Sequence, residues 1–180
     1  MSSFCYPLAF YVNIRNGGKD KLNINIVCVG KMKEKFMSGA VEEYKKRLSR
    51  FANVKIIELA DESAPEKMSE AEAEKVLKKE GERILEKIAP SDYVIALCVE
   101  GKQMSSEKLA EHIADCMVNG ISNVTFVIGG SLGLSEEVKK RSALRLSFSL
   151  MTFPHQLMRV ILLEQIYRTF KINANESYHK

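Results

Sequence analysis

The sequence of 180 residues predicts an α/β protein in which a mostly parallel sheet carries helices on both faces. Short apolar runs typical of buried strands alternate along the chain with longer segments whose apolar residues recur at helical spacing. Signals for helix starts stand between these segments at the expected places. With 46% hydrophobic residues, the chain can bury one core without a second domain.

The first half of the chain holds two strand–helix units. A capping-box signature, Ser69 with Glu72 three residues later, predicts the start of a long helix that runs to about Ile88. Pro90 follows the end of this helix, and Pro65 marks the loop before it. Periodicity alone predicts a strand over 23–29, a helix over 36–51 and a strand over 54–59.

The second half continues the alternation and ends in a long helix. Ser135, followed by two glutamates, predicts the cap of a short helix, because a serine hydroxyl and acidic side chains favour a helix N-terminus. Pro154 suits the first helical position, where its missing N–H leaves no hydrogen bond unmade. The other predicted elements are strands over 93–99, 124–128 and 144–148 and helices over 106–117 and 154–172.

Three loops follow the carboxyl ends of predicted strands, over 97–101, 128–134 and 148–153. Ligands of open parallel sheets bind beyond these ends, so we expect the three loops to converge on one site. Gly129 and Gly130 carry no side chain, and the backbone there can approach a ligand closely. The sequence therefore predicts a binding site rich in main-chain groups.

Several segments occur in an order and spacing that are specific to one family. The segments are Gly-Gly-Ser-Leu-Gly-Leu at 129–134, Leu-Ser-Phe-Ser-Leu-Met-Thr-Phe-Pro-His-Gln at 146–156, and Ser-Tyr-His-Lys at 177–180, with Val-Gly-Lys at 29–31, Asp-Glu-Ser-Ala-Pro-Glu at 61–66 and Glu-Gly-Lys at 100–102. From about residue 23 to residue 180, the chain resembles the RlmH family of SPOUT-class RNA methyltransferases. Leu150 departs from the family pattern, in which Lys or Pro is frequent at this position.

The resemblance implies a SPOUT α/β-knot fold with a trefoil knot in the C-terminal part. It implies methylation of N3 of a pseudouridine in large-subunit (23S) ribosomal RNA on the assembled ribosome, with S-adenosylmethionine as the cofactor. It further implies a cytoplasmic homodimer with sites near the subunit interface. Our choices for contacts with the partner subunit are Leu157, Ile161 and Phe170 of the last helix; the alternative is that all three face the core of their own chain.

The chemistry that the resemblance implies guides the choice of substrate-binding and catalytic residues, and the resemblance itself implies the cofactor-binding ones. His155 and Arg159 stand four residues apart on one face of the last helix near its positive end, although an ordinary capped core helix explains such a pair equally well. We expect Arg159, Tyr178 and His179 to contact substrate, although a terminal tyrosine can instead dock on its own domain. We expect His155 to organise the loop or act as a base. Lys180 is a further cation at this end. The implied cofactor-binding residues are Leu97, Gly129, Phe148, Ser149, Leu150, Met151, Thr152 and Phe153.

The distribution of charge suits a nucleic-acid partner better than the mild net charge of +4 does. Residues 58–87 hold ten acidic and six basic side chains, whereas residues 139–180 hold eight basic and two acidic ones. Lysine and arginine neutralise phosphates, so the basic end is expected to face RNA. A solvated face with scattered charge remains the alternative.

Cysteine spacing and hydropathy exclude several classes of protein. The four cysteines, Cys5, Cys28, Cys98 and Cys116, form no Cys-x-x-Cys pair, so we expect no metal site and no disulfide framework, as in the reducing cytosol. No apolar run reaches the roughly 18 residues that a membrane span needs. We therefore expect no membrane partner.

Residues 1–21 differ from the rest of the chain. Their apolar part lacks a preceding basic region, which argues against a signal peptide. The resemblance starts just after Leu22. We expect either a mis-assigned translation start at Leu22 or a genuine extra strand or arm, followed by a single domain over 22–180.

Two rival functions come from other classes. Gly129-Gly130-Ser131-Leu132-Gly133 fits the Gly-x-Ser-x-Gly pattern of a hydrolase nucleophile, with His155 or His179 downstream. Such a nucleophile elbow passes directly into a helix, whereas Ser135 places the helix start several residues later. The other rival is a ribosome-binding protein that keeps the fold and has lost the cofactor.

Overall fold

The computed structural model describes residues 21–63, 65, 67–176 and 178. Its elements confirm the α/β class and the predicted order. The assignment of residues 1–21 stays a prediction, because residues 1–20 lie outside the described part. The elements are β1 Leu22–Val29, α1 Lys35–Leu48, β2 Ala52–Leu59, α2 Glu70–Leu85, β3 Tyr93–Gln103, α3 Ser106–Val118, β4 Asn123–Ile128, α4 Glu136–Arg141, β5 Leu144–Ser147 and α5 His155–Asn173.

The five strands that the described residues contain form one sheet in the order β2-β1-β4-β3-β5. All four neighbouring pairs are parallel, which confirms the predicted sheet. The last three strands in this order are neighbours, so their carboxyl ends lie side by side at one edge. This edge carries the three loops that were expected to converge.

Alternate residues of the central strands point into two separate cores. Ile26, Phe126 and Ile95 are buried on the face covered by α1, α3 and α5. Val27 and Val127 are buried on the opposite face, under α2 and α4. Burial of both faces explains why these strands read as continuous apolar runs in the sequence.

Serine caps start three helices, and the sequence predicted two of them, Ser69 and Ser135. The Ser69 hydroxyl accepts a hydrogen bond from the Glu72 backbone N–H, and the Glu72 carboxylate accepts one from the Ser69 N–H at 2.8 Å. Ser105 and Ser135 likewise cap α3 and α4. At the last helix the prediction is wrong by one residue: Pro154 is the N-cap, with an extended ψ of 132°, and His155 is the first helical residue.

Strand β3 is longer than predicted and carries an irregularity at its carboxyl end. Leu97 and Lys102 both pair with Leu146 of β5, so residues 98–101 bulge out of the ladder. A Cβ atom at Gly101 would lie 2.7 Å from the backbone carbon of Leu146. The bulge places the chain after Leu97 beside the carboxyl end of β4.

The described residues contain no helix that is long and apolar enough to span a bilayer. The trefoil knot stays a prediction.

We expect Gly101→Ala to lower the free energy of unfolding by about 2 kcal/mol, because the new methyl group overlaps the β5 backbone and forces it to shift. Gly39→Ala is the matched control: its Cβ has no neighbour within 4 Å, and the better helix propensity of alanine raises stability by about 0.8 kcal/mol. Urea unfolding curves measure both. Equal stability of Gly101→Ala and the wild type would contradict the close approach.

Candidate active site

A cleft of about 730 Å³ opens at the carboxyl ends of β3, β4 and β5. All three predicted loops contribute to its walls, which confirms their convergence. Of the eight residues assigned to cofactor binding, seven line the cleft, and Leu150 does not. The seven are Leu97, Gly129, Phe148, Ser149, Met151, Thr152 and Phe153.

A tight turn after β4 forms the floor of the cleft. The Gly133 N–H donates a hydrogen bond to the Gly130 carbonyl oxygen at 3.1 Å, and Gly133 has a φ of +89°. This fold of the backbone brings the Gly133 carbonyl oxygen to 2.1 Å from the place of a Cβ atom on Gly129. Any side chain at Gly129 would therefore displace the turn.

The loop after β5 supplies the opposite wall with little regular structure. The Ser147 hydroxyl donates to the Ser149 carbonyl oxygen at 3.0 Å, and the Ser149 hydroxyl accepts from the Met151 N–H at the same distance. These bonds shape the loop from within. Leu150 and Met151 are 78% and 73% exposed, so apolar side chains stand in solvent beside main-chain groups.

A buried carboxylate lies behind the floor of the cleft. Glu80 of α2 is 4% exposed, and one of its oxygens lies 2.9 Å from the place of a Cβ on Gly130. The other oxygen accepts a hydrogen bond from the Glu62 N–H at 3.0 Å. The first accepts none from the described residues, and burial raises the pKa of this carboxyl. Glu80 thus supports the glycine turn from below.

His155 lies at the mouth of the cleft, next to β1. Its Nε2 atom is 3.0 Å from the place of a Cβ on Gly30, whose φ of +85° favours glycine. Burial lowers the pKa of His155, and the positive charge of Arg159 lowers it further. The lowered pKa favours the neutral imidazole, the form that is able to accept a proton.

Arg159 is fully buried and joins α5 to the ends of two strands. Its guanidinium donates hydrogen bonds to the carbonyl oxygens of Val29 and Gly30, at 2.9 and 2.7 Å. It also forms a 2.7 Å ion pair with Glu58 of β2. The substrate contact assigned to Arg159 stays a prediction; in this structure its guanidinium holds the helix that presents His155.

The C-terminal tail docks on the far half of α5. Tyr178 makes an edge contact with Tyr167 at a ring distance of 5.0 Å and lies under the Arg168 guanidinium. Tyr167 is about 18 Å along the helix axis from His155. Tyr178 is therefore not brought to the cleft of its own chain, and His179 and Lys180 lie outside the described residues.

Most of the basic side chains near the C-terminus are used within the fold. Arg159 and Arg168 pair with Glu58 and Glu164, and Lys171 pairs with Glu176. Lys139 pairs with Glu100 and Glu136, and Arg141 binds three backbone carbonyl groups. Fewer cations in this segment are therefore available to bind phosphates than the count of basic residues suggests.

The structure does not favour Ser131 as a hydrolase nucleophile. Ser131 lies inside the Gly130–Gly133 turn, and α4 begins only at Glu136. A nucleophile elbow instead joins its strand directly to a helix. His155 does line the same cleft, but the strand–nucleophile–helix geometry is missing here.

Sequence reasoning missed Glu58 and Glu80, since neither stands in a recognisable motif. The surplus of acidic residues over 58–87 was the one signal, and it does not distinguish Glu58 and Glu80 from the others.

Among the described residues, no group of three or more His, Cys, Asp or Glu side chains is placed to hold a metal ion. Cys28 and Cys116 are buried, and burial raises the pKa of each thiol to about 11.

Comparison with known proteins identifies close relatives. The family described as "Predicted SPOUT methyltransferase" matches residues 22–179. A protein of Bifidobacterium animalis subsp. lactis named "Ribosomal RNA large subunit methyltransferase H" is 58% identical over 159 residues, which are 88% of this chain and 100% of that protein. A protein of the same name from Bacillus cytotoxicus is 59% identical over 160 residues, with the same coverage.

A solved structure shares the fold at much lower sequence identity. The structure of a probable methylase family protein from Haemophilus influenzae matches with a TM-score of 0.51 at 14% identity. The match covers 88% of this chain and 71% of that protein. At this identity the likeness shows the fold alone.

We expect Arg159→Met to lower the free energy of unfolding by about 3 kcal/mol, because it leaves two buried carbonyl groups and Glu58 without their donor. Arg47→Met is the matched control on the surface of α1, where the ion pair with Glu43 is solvated and little change is expected. Chemical denaturation compares the two variants. Similar small losses in both would show that the buried guanidinium does not hold α5.

Proposed function

We propose that this chain, which belongs to the SPOUT methyltransferase family, methylates large-subunit ribosomal RNA with S-adenosylmethionine as the methyl donor. Within the family it belongs to the ribosomal RNA large subunit methyltransferases H. We infer N3 of a pseudouridine as the target atom and the assembled ribosome as the substrate. The cytoplasm is the compartment that this substrate requires.

One observation carries the proposal: seven of the eight residues assigned to the cofactor line a single cleft. They come from three loops that are far apart in the sequence. A volume of about 730 Å³ lies within the range of sites for small organic ligands. The glycine turn provides a floor without side chains, and apolar groups such as Leu97 and Phe148 flank the main-chain groups, an environment that fits an adenine ring.

When bound, S-adenosylmethionine supplies a methyl carbon on a positively charged sulfur, which is a good leaving group. The protein then has two tasks: alignment of the pyrimidine nitrogen with that carbon, and removal of the N3 proton. We assign the second task to His155, because it lies on the cleft wall and its lowered pKa favours the neutral imidazole. Arg159 holds the position of His155 from within the core, and its charge adds to the lowering of the pKa by burial.

We propose that the protein acts as a homodimer. Leu157 and Ile161 are half-buried on α5 and remain our choices for contacts with the partner subunit. The choice of Phe170 is wrong, because its ring is fully buried and stacks on Phe51 of its own chain at 5.6 Å. The substrate contacts assigned to Tyr178 and His179 stay predictions.

The first test is calorimetric titration with S-adenosylmethionine. We expect the wild-type protein to bind and Gly129→Val to lose binding, because its side chain overlaps the turn. Thr152→Arg should weaken binding about tenfold, because it adds a cation to the wall of a cleft that takes a positively charged ligand. Thr152 is exposed, so this variant keeps its fold. A folded wild-type protein that does not bind would leave the cofactor-free ribosome-binding protein or the Ser131 hydrolase.

The second test is methyl transfer to bacterial ribosomes that lack the modification. We expect one methyl group on N3 of a pseudouridine, located by mass spectrometry of nuclease fragments.

His155→Asn should lower the rate of methyl transfer about 100-fold through loss of the base. With the wild type, the rate should fall as the pH drops below the usual range of histidine, since protonation removes the acceptor. His112→Asn is the control, because His112 bonds Tyr93 and lies outside this cleft. Methylation of another atom would contradict the assignment.

A further inference from the structure

The loop between β1 and α1, together with the first two residues of α1, carries an exposed basic and aromatic surface. Residues 31–36 read Lys-Met-Lys-Glu-Lys-Phe, and we call Lys31, Lys33, Lys35 and Phe36 the lysine loop. All four side chains are exposed, Phe36 by 70%. Within the described part of the chain, none of the three ammonium groups takes part in an ion pair.

The backbone of this loop is fixed against the candidate active site. The Lys33 N–H donates a hydrogen bond to the Gln156 side chain on α5 at 3.0 Å. The Met32 N–H donates to Glu58 at 2.8 Å, and Glu58 in turn holds Arg159. The lysine loop therefore borders the mouth of the cleft, next to His155, and its position is coupled to the helix that presents this residue.

The combination of groups matches the chemistry of an RNA strand. Ammonium groups neutralise phosphates and release their counterions, which supplies much of the affinity for nucleic acids. An exposed aromatic ring offers a face on which an unpaired base stacks. The basic C-terminal segment has fewer cations available for phosphates, since most of its cations are paired within the fold.

A protein partner fits this surface less well. Charged residues, lysine above all, are depleted from the centres of protein interfaces, because burial removes their hydration. Lys31, Lys33 and Lys35, which form no ion pair with any described residue, precede the exposed ring of Phe36 in the chain. Burying Phe36 against protein would bury or crowd these cations as well.

We propose that the lysine loop binds an unpaired segment of the substrate RNA beside the cleft, with its lysines on phosphates and Phe36 against a base. This inference rests on the proposed function. It adds a contact surface that is separate from both the cofactor cleft and the C-terminal tail. The loop is a substrate-binding element and takes no part in the chemistry at the methyl carbon.

The test uses a fluorescent 20-nucleotide oligouridine as the RNA probe and anisotropy over a series of salt concentrations. We expect K31Q/K33Q/K35Q to weaken binding about tenfold, and to lower the slope of log affinity against log salt by about 2, the value for three phosphates of a single strand. F36A should weaken binding about fivefold and leave the slope unchanged. The matched control is K75Q/K78Q/K87Q, three exposed lysines in or near α2, and it should behave as the wild type.

Two further readouts separate this inference from the proposed function. Titration with S-adenosylmethionine should give wild-type affinity in every lysine-loop variant, and KM for ribosomes should rise with kcat unchanged. Wild-type affinity, salt slope and KM in K31Q/K33Q/K35Q would overturn the inference while methyl transfer still supports the proposed function. A change in oligomeric state of F36A, measured as the mass of the assembly by sedimentation, would also overturn the inference. The surface would then join two copies of the chain. Absence of cofactor binding and methyl transfer in the wild type would instead refute the proposed function.

Discussion

The candidate site depends on the close approach of backbone segments at one edge of the sheet. Parallel pairing places the carboxyl ends of β4, β3 and β5 side by side, and the loops that leave them have almost no room for side chains where they meet. At Gly129 a Cβ would lie 2.1 Å from a carbonyl oxygen, and at Gly101 2.7 Å from a carbonyl carbon. The result is a cleft whose floor and walls expose main-chain donors and acceptors.

A second constraint connects this edge to the other half of the sheet. Arg159 satisfies the carbonyl groups at the end of β1 and the Glu58 carboxylate on β2, and in doing so it fixes the start of α5. Burial lowers the pKa of His155, and the same cation lowers it further, so Arg159 contributes to both the position and the electrostatics of the imidazole. The lysine loop is held by the same network through Met32 and Glu58.

Local features of the sequence predicted the elements well. Ser69 and Ser135 were identified as caps because a helix start needs only a hydroxyl and its own backbone, and these lie within three residues of each other. The start of α5 was predicted one residue too early, at Pro154 instead of His155. The fixed φ of proline suits both the N-cap and the first helical position, so the sequence does not distinguish them. The convergence of the three loops followed from the rule for parallel sheets.

Contacts between residues that are far apart in the chain could not be predicted from the sequence. Arg159 and Glu58 are 101 residues apart, so no spacing rule joins them, and the ion pair between them could not be predicted. Phe170 shows the same limit: helical periodicity assigns a face, but it does not say whether that face meets its own core or a partner. Glu80 is one of many acidic residues on α2, and only the packing of that helix under the glycine turn distinguishes it.

Amide hydrogen exchange with and without S-adenosylmethionine tests the central claim most directly, because it locates the cofactor on the folded chain. The structure predicts added protection in residues 97–101, 129–134 and 147–153, and little change in α2 or at the surface around Lys102 and His112. Protection that is absent from the glycine turn, or that is concentrated outside these three loops, would contradict the account.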